Sequence, residues 1–200
     1  MITKSIVAVG LLAISAGVAA DNNFFYLGAS TGQARTDFDA NPAIAGGFPT
    51  TYDNSVSTWS AFAGYQISPI VGAELRYIHF GDANVRVQFP GGPLFTNIQI
   101  QGWGASLVGT KPVGKNFSAL GRIGATYFRE TRGNCNICAA PVTTSSDNVW
   151  SPSFGIGLQY DFNASLIARG EVERFTRIGD SDNTFGGKAT LWTVGLAYKF

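Results

Sequence analysis

From about residue 23 onward the chain repeats one device: apolar side chains at every second position, with small or polar ones between them. The segment ATLWTVGLAYKF shows it plainly. Trp192, Val194, Leu196, Tyr198 and Phe200 fall on one phase, and Thr193, Gly195 and Lys199 on the other. A period of two marks a strand with two unlike faces, and helical periodicity is absent after residue 20. Eight strands are predicted, at about 23–34, 56–67, 70–80, 97–110, 116–130, 148–162, 164–177 and 187–200. Their connections alternate in length. SP at 68–69, KPVGK at 111–115 and DFN at 161–163 are short; the stretches near 35–55, 81–96, 131–147 and 178–186 are long. This rhythm predicts an all-β, up-and-down antiparallel meander with elaborate loops at one end. An even number of strands sets both termini at the short-turn end.

Alternation alone does not say which face points inward. A secreted lipocalin-type barrel turns its apolar face in, and a membrane barrel turns it out. Three features favour the membrane barrel. The second face is rich in Gly and Ser (Gly28, Ser30, Ser60, Gly64, Gly72, Gly104, Ser106, Gly124, Gly155, Gly157), which suits the narrow lumen of eight strands. Tyr and Trp gather near the ends of the apolar face, as in an interfacial girdle. The strands are about ten residues or longer, enough for a tilted bilayer crossing. Composition agrees: charged residues are 14% of the chain, against roughly 25% in average soluble domains. Phe62, Leu120 and Leu191 depart from the pattern, being apolar residues on the polar phase. In lipid every backbone group must be bonded internally, so the last strand is expected to pair with the first.

MITKSIVAVGLLAISAGVAA, residues 1–20, carries a basic residue, an apolar run and a small-residue ending. That is the form of a cleaved secretory signal peptide, and its apolar run is short for a membrane helix. The expected organisation is a signal peptide at 1–20 and one barrel domain at 21–200. A net charge of +1 gives no basis for nucleic-acid binding. Cys135 and Cys138, in GNCNICAA, form a candidate disulfide of the third long loop in an oxidising compartment. A redox CxxC lacks its βαβ context, and a zinc site lacks ligands, because His79 is the single histidine.

FAGYQISPIVGAELRYIHFGD, residues 62–82, resembles the second hairpin of OmpA-type transmembrane domains. FYLGAS at 25–30, SPSFGIGLQYDFN at 151–163 and LIARGEVERF at 166–175 fit the same family. The most specific signals are the Gly64-Tyr65-Gln66 and Glu74 hairpin and the segment VGLAYKF. The resemblance covers the mature chain. It implies an eight-stranded transmembrane β-barrel in the outer membrane of a Gram-negative bacterium, with periplasmic termini. It also implies that Tyr198 and Phe200 belong to the signal read by the outer-membrane assembly machinery. Full-length OmpA-type proteins carry a periplasmic peptidoglycan-binding domain after the barrel. With nothing after Phe200, the expectation is a stand-alone surface barrel.

The polar phase carries Glu74, Arg76, Arg122, Arg169, Glu171, Glu173 and Lys199. Charges inside a narrow lumen must pair. The expectation is a lumen plugged by ion pairs, and the alternative, since such a network can rearrange, is a small low-conductance porin. The family resemblance implies that Glu74 pairs with Arg169 across the lumen. The family's second pair is replaced here, with Ser106 and Gln159 near those positions. A third reading, a lipid A-modifying enzyme, starts from RYIHFGDAN at 76–84. Gly81 stands where one deacylase family has its nucleophilic serine after the histidine, and Asp82 has no second histidine to act as base. The expectation is therefore no enzyme, with His79 at the outer rim. The long polar loops are expected to face outside the cell, where rigid scaffolds commonly carry recognition. No metal, nucleotide or phosphate motif is present, and no cofactor is expected. The expected partners are outer-membrane lipid and lipopolysaccharide, the assembly machinery, and a host or surface ligand at the loops.

Overall fold

The computed structural model describes residues 23–38, 50–52, 55–89, 92–133, 146–178 and 187–200. Within them the alternating stretches become strands: β1 Phe25–Phe38, β2 Thr50–Tyr52, β3 Ser55–Ser68, β4 Val71–Phe89, β5 Gly92–Pro112, β6 Phe117–Gly133, β7 Ser146–Asp161, β8 Leu166–Ile178 and β9 Gly187–Lys199. β2 is not a ninth stave. It pairs with the outer part of β4 (Tyr52↔Val85) almost in the register by which β3 pairs with the inner part (Thr58↔Phe80), so β2 and β3 are one interrupted strand. Eight antiparallel strands result, each paired with its neighbours in sequence. β1 also pairs with β9 over thirteen residues, from Tyr26↔Lys199 to Phe38↔Gly187, and this closes the barrel. Closure leaves no edge for lipid to meet.

The registers fix the shape. Passing from Tyr26 to its partner Gly64, then Glu74, Ser106, Gly124, Ser153, Phe175 and Ala189, the path returns to β1 at Thr36, ten residues along. A shear of ten over eight strands corresponds to a tilt of about 40° for regular strand spacings. The short turns sit at the end that holds Phe25 and Lys199. Asn163 Oδ1 caps one by accepting the N–H groups of Ser165 and Leu166, both at 2.8 Å.

The second long connection departs from the sequence-based expectation. β4 continues to Phe89 and β5 starts at Gly92, so most of the stretch near 81–96 is a ladder (Val85↔Thr96, Val87↔Leu94) that extends the two strands outward. The physical reason lies in the segment itself. Val85, Val87 and Phe89 alternate up to Pro90-Gly91-Gly92, a hairpin turn signal. β1 and β6 likewise run beyond their predicted ends, to Phe38 and Gly133. The signal segment at 1–20, Cys135 and Cys138 lie outside the described residues.

The apolar phase points out. Phe25, Leu75, Leu107, Ile123, Ile156, Val194 and Leu196 are all exposed. Rings bound this band at both ends. Phe25 lies 4.5 Å from Tyr65, Phe117 4.8 Å from Tyr160, and Tyr198 5.1 Å from Phe200 at the short-turn end. At the long-loop end Tyr77, Trp103, Tyr127 and Trp150 follow one another in register across β4 to β7, with Trp59 5.4 Å from Tyr77. Trp192 and Phe200 are eight residues apart in sequence, about 20 Å along the normal of a strand tilted by ~40°. That is close to the apolar height of a membrane barrel.

Candidate functional site: the filled lumen

The alternate phase of each strand points into the barrel, and it places Glu74 and Arg76 on β4, Arg122 on β6, and Arg169, Glu171 and Glu173 on β8. All six are buried. Glycines opposite them give the larger side chains their room. A Cβ on Gly64 would stand 2.1 Å from the Tyr26 ring, and one on Gly28 2.4 Å from the Phe62 ring. The small residues of the polar phase thus let aromatic rings lie flat against the inner wall.

Arg122 is the centre of the network. Its Nη1 donates to Glu74 Oε1 at 2.6 Å and to Ser106 Oγ at 2.8 Å; its Nε and Nη2 grip Glu171 at 2.9 and 3.2 Å. Glu74 also accepts from Arg169 Nη1 at 2.8 Å and from the Tyr26 hydroxyl at 3.1 Å. Arg169 reaches Glu171 at 3.5 Å, and its guanidinium lies 5.2 Å from the centre of the Phe62 ring and 5.4 Å from that of Tyr26. Arg76 pairs with Glu173. Three guanidinium groups and three carboxylates balance in charge. Charge-assisted, partly two-pronged bonds offset the cost of removing such groups from water. Ser106 takes part through Arg122, and Gln159 Oε1 lies 3.5 Å from Arg169 Nη2. Both neutral residues, Ser106 and Gln159, therefore touch the network.

Lys199 stands apart from this cluster. It pairs with Asp161 at the short-turn mouth, with its Nζ 5.2 Å from the centre of the Phe24 ring. A cavity of about 220 Å³ opens there, lined in part by Gln66, Ser118, Gln159 and Arg169. His79 points outward and lies 5.7 Å from Trp59 in the outer ring belt. Tyr198 and Phe200 are also outward and exposed, and the Phe200 N–H donates to the Phe25 carbonyl at 2.9 Å.

Two apolar clusters share the lumen with the charges, and sequence reasoning noted only parts of them. Toward the long loops, Phe80, Phe128 and Phe175 meet edge to face with centroids 5.3 to 6.3 Å apart, joined by Ile78, Ile100, Leu191, Val56, Ala34 and Ala189. Toward the short turns, Tyr26, Phe62, Ile167 and Ala197 pack together. Phe62 and Leu191, exceptions to the pattern in sequence, belong to these clusters. The signal that finds the others is parity: Ile78 and Phe80 share the phase of Glu74, Phe128 that of Arg122, and Phe175 that of Glu173. The lumen is thus apolar, charged and apolar again along its axis.

A family model described as the OmpA-like transmembrane domain matches residues 20–200. Outer membrane protein A of Salmonella typhi is 28% identical over 200 residues; the match covers 97% of this chain and 53% of that protein. The chain spans about half the length of the curated relatives it matches. Among solved structures, Neisserial surface protein A aligns with a TM-score of 0.63 at 14% identity, covering 88% of this chain and 97% of that one. Ail, the attachment invasion locus protein of Yersinia pestis, solved with the heparin analogue sucrose octasulfate, aligns with a TM-score of 0.52 at 14% identity over 89% and 97%. With its apolar face outward and its sheet closed on itself, the chain belongs to the OmpA-like transmembrane domain family and is a β-barrel of the outer membrane.

Proposed function

We propose that this barrel serves as a structural outer-membrane protein that holds its long connections at the cell surface, and that its lumen is not a standing pore. One observation carries the reading: the lumen is filled at successive levels by the Phe80–Phe128–Phe175 cluster, the Glu74–Arg122–Glu171 network and the Tyr26–Phe62 cluster. A conducting path needs a continuous column of water, and apolar constrictions resist wetting. The rigid scaffold leaves recognition to the outer connections. Planar-bilayer recording of the refolded protein, run beside whole-cell binding with the outer connections shortened one at a time, tests the reading. A silent bilayer together with a loop-dependent binding signal is expected. A sulfated polysaccharide is a reasonable first probe, because a barrel of the same fold was solved with a heparin analogue. Steady single-channel steps from the unmodified protein would replace this reading with that of a small porin.

Tyr198 and Phe200 are proposed as residues that the assembly machinery reads. Support comes from their outward, exposed placement at the short-turn end. Phe200→Ala is expected to lower the folded barrel recovered from cells severalfold while changing unfolding in micelles little. Equal losses in both settings would leave Phe200 as an interfacial anchor only.

A further inference from the structure

Arg122 and Arg169 belong to one network but use their guanidinium groups differently. Arg122 turns its Nε–Nη2 edge onto Glu171 and bonds both carboxylate oxygens, at 2.9 and 3.2 Å. That side-on grip is the two-pronged geometry in which a guanidinium holds a carboxylate. On Arg169 the same edge is hardly used. Nη1 serves Glu74 at 2.8 Å and Glu171 at 3.5 Å. Nη2 meets Gln159 Oε1 at 3.5 Å, the limit of a hydrogen bond. Nε is buried and has no hydrogen-bond partner among the described residues, and an unpaired buried donor is costly. Arg169 and Gln159 are 6% and 8% exposed, and both line the cavity of about 220 Å³ at the short-turn mouth. Nη1 faces the network, so the Nη2 side is the one turned toward Gln159 and this cavity. Lys199 brings a second cation to the same wall and Ser118 a hydroxyl. Glu74 and Asp161, the carboxylates paired with the two cations, are not among the described lining residues.

We propose that this cavity binds a short-chain monocarboxylate, with the carboxylate on the Nε–Nη2 edge of Arg169 and the hydrocarbon end against Phe24 and Ile167. The edge offers two parallel donors, which a carboxylate fills and a single neutral acceptor does not. Gln159 assists. Its contacts to Arg169 and to Asp161 Oδ1 are both at 3.5 Å, so its amide is loosely held and can turn its NH2 group toward the ligand. Lys199, nearer the mouth, attracts the anion on its way in. Charge favours a monoanion, because Arg169 and Lys199 each already face a carboxylate and a second added negative charge has no cation left to meet. Size agrees. The cavity volume corresponds to about seven water molecules at ~30 Å³ each, which suits an acid of about four carbons and not a long acyl chain. The site lies at the short-turn end and is independent of any ligand at the outer connections.

The test uses the full chain refolded in micelles and follows the arginine Nε–H signals by NMR at constant ionic strength. The Arg169 signal is identified by magnetisation transfer to the Tyr26 and Phe62 rings, which lie beside its guanidinium, so no variant is needed to assign it. The probes are butyrate, its neutral isostere butyramide, and inorganic phosphate. Butyrate is expected to move the Arg169 signal in a saturable way, at a concentration about tenfold below that at which butyramide does so. Phosphate should be the weaker anion. Lys199→Gln should weaken butyrate severalfold, and Ser118→Leu, which fills the cavity away from the network, should abolish the response. Lys188→Gln, at the other end of β9, should bind like the unmodified protein. An Arg169 signal that butyrate leaves in place would overturn the site. Equal responses to butyramide would overturn recognition of the carboxylate, and tighter binding of phosphate would overturn the monocarboxylate class. An undiminished response in Ser118→Leu would place the ligand outside this cavity.

Discussion

Arg122 is the side chain on which the lumen network converges: among the described residues it makes the shorter bonds to both Glu74 and Glu171, at 2.6 and 2.9 Å, and it also donates to Ser106. Arg169 shares Glu74 but reaches Glu171 only at 3.5 Å. Breaking a buried pair by deleting one partner typically costs about 3–5 kcal/mol, and water in the lumen lowers that value. Arg122→Ala is therefore expected to destabilise the barrel by about 2–4 kcal/mol, more than Arg169→Ala does, in urea unfolding from lipid vesicles. The pair Glu74→Ala/Arg169→Ala should lose less than the two single losses added, because the second deletion removes a charge that the first left unpaired. A larger loss at Arg169 than at Arg122 would show that Glu171 is held mainly by another group. Additive losses in the cycle would separate Glu74 from Arg169 altogether. That these residues face inward was legible from parity. That Arg122 joins Glu74 to Glu171 was not, because it depends on a register shared by β4, β6 and β8, and sequence spacing within one strand carries no trace of it.

At the scale of the strand, the two faces differ in what they tolerate. Ile156 on β7 lies outward among Phe154 and Leu158, midway between Trp150 and Phe162. Arginine at such a depth in a membrane barrel costs about 2–4 kcal/mol, and near the interface about 0–1 kcal/mol. Ile156→Arg should accordingly lower unfolding stability in vesicles by about 2–4 kcal/mol, and Ser57→Arg, beyond Trp59 toward the outer end, by no more than about 1 kcal/mol. Similar losses at both positions would place the bilayer elsewhere on the barrel. The strands themselves were readable because the two-residue period repeats without competition from helical spacing. The hairpin formed by β4 and β5 was readable too, in Val85, Val87, Phe89 and the following Pro-Gly-Gly, but the abundance of turn-forming residues in the same segment masked it. The aromatic cluster of Phe80, Phe128 and Phe175 was hidden differently. Each ring sits singly on its own strand, and the three meet only when the sheet closes.

For the molecule as a whole, the layers along the lumen act in series, and the least permeable one sets the ion flux. Removing charges from the central network widens a middle layer while leaving the apolar cluster above it intact. Arg122→Ala alone is therefore expected to remain without steady conductance in planar bilayers, despite its stability loss. Phe80→Ser/Phe128→Ser/Phe175→Ser removes the ring-on-ring contact near the long loops but leaves Glu74, Arg122 and Glu171 bonded across the axis. Rare, brief openings are the expected result there, because the network must come apart for each passage. Combining the serine changes with Arg122→Ala opens two of the three layers, and only that protein should give steady steps, of a small size set by the remaining Tyr26–Phe62 cluster at the other end. The order of these three outcomes is the test. Sustained current through Arg122→Ala alone would mean that the aromatic cluster does not exclude water and that the charges are the sole closure. A fully combined variant that folds, as judged by its shift on an unheated gel, yet stays silent would assign closure to the short-turn cluster or to the outer connections.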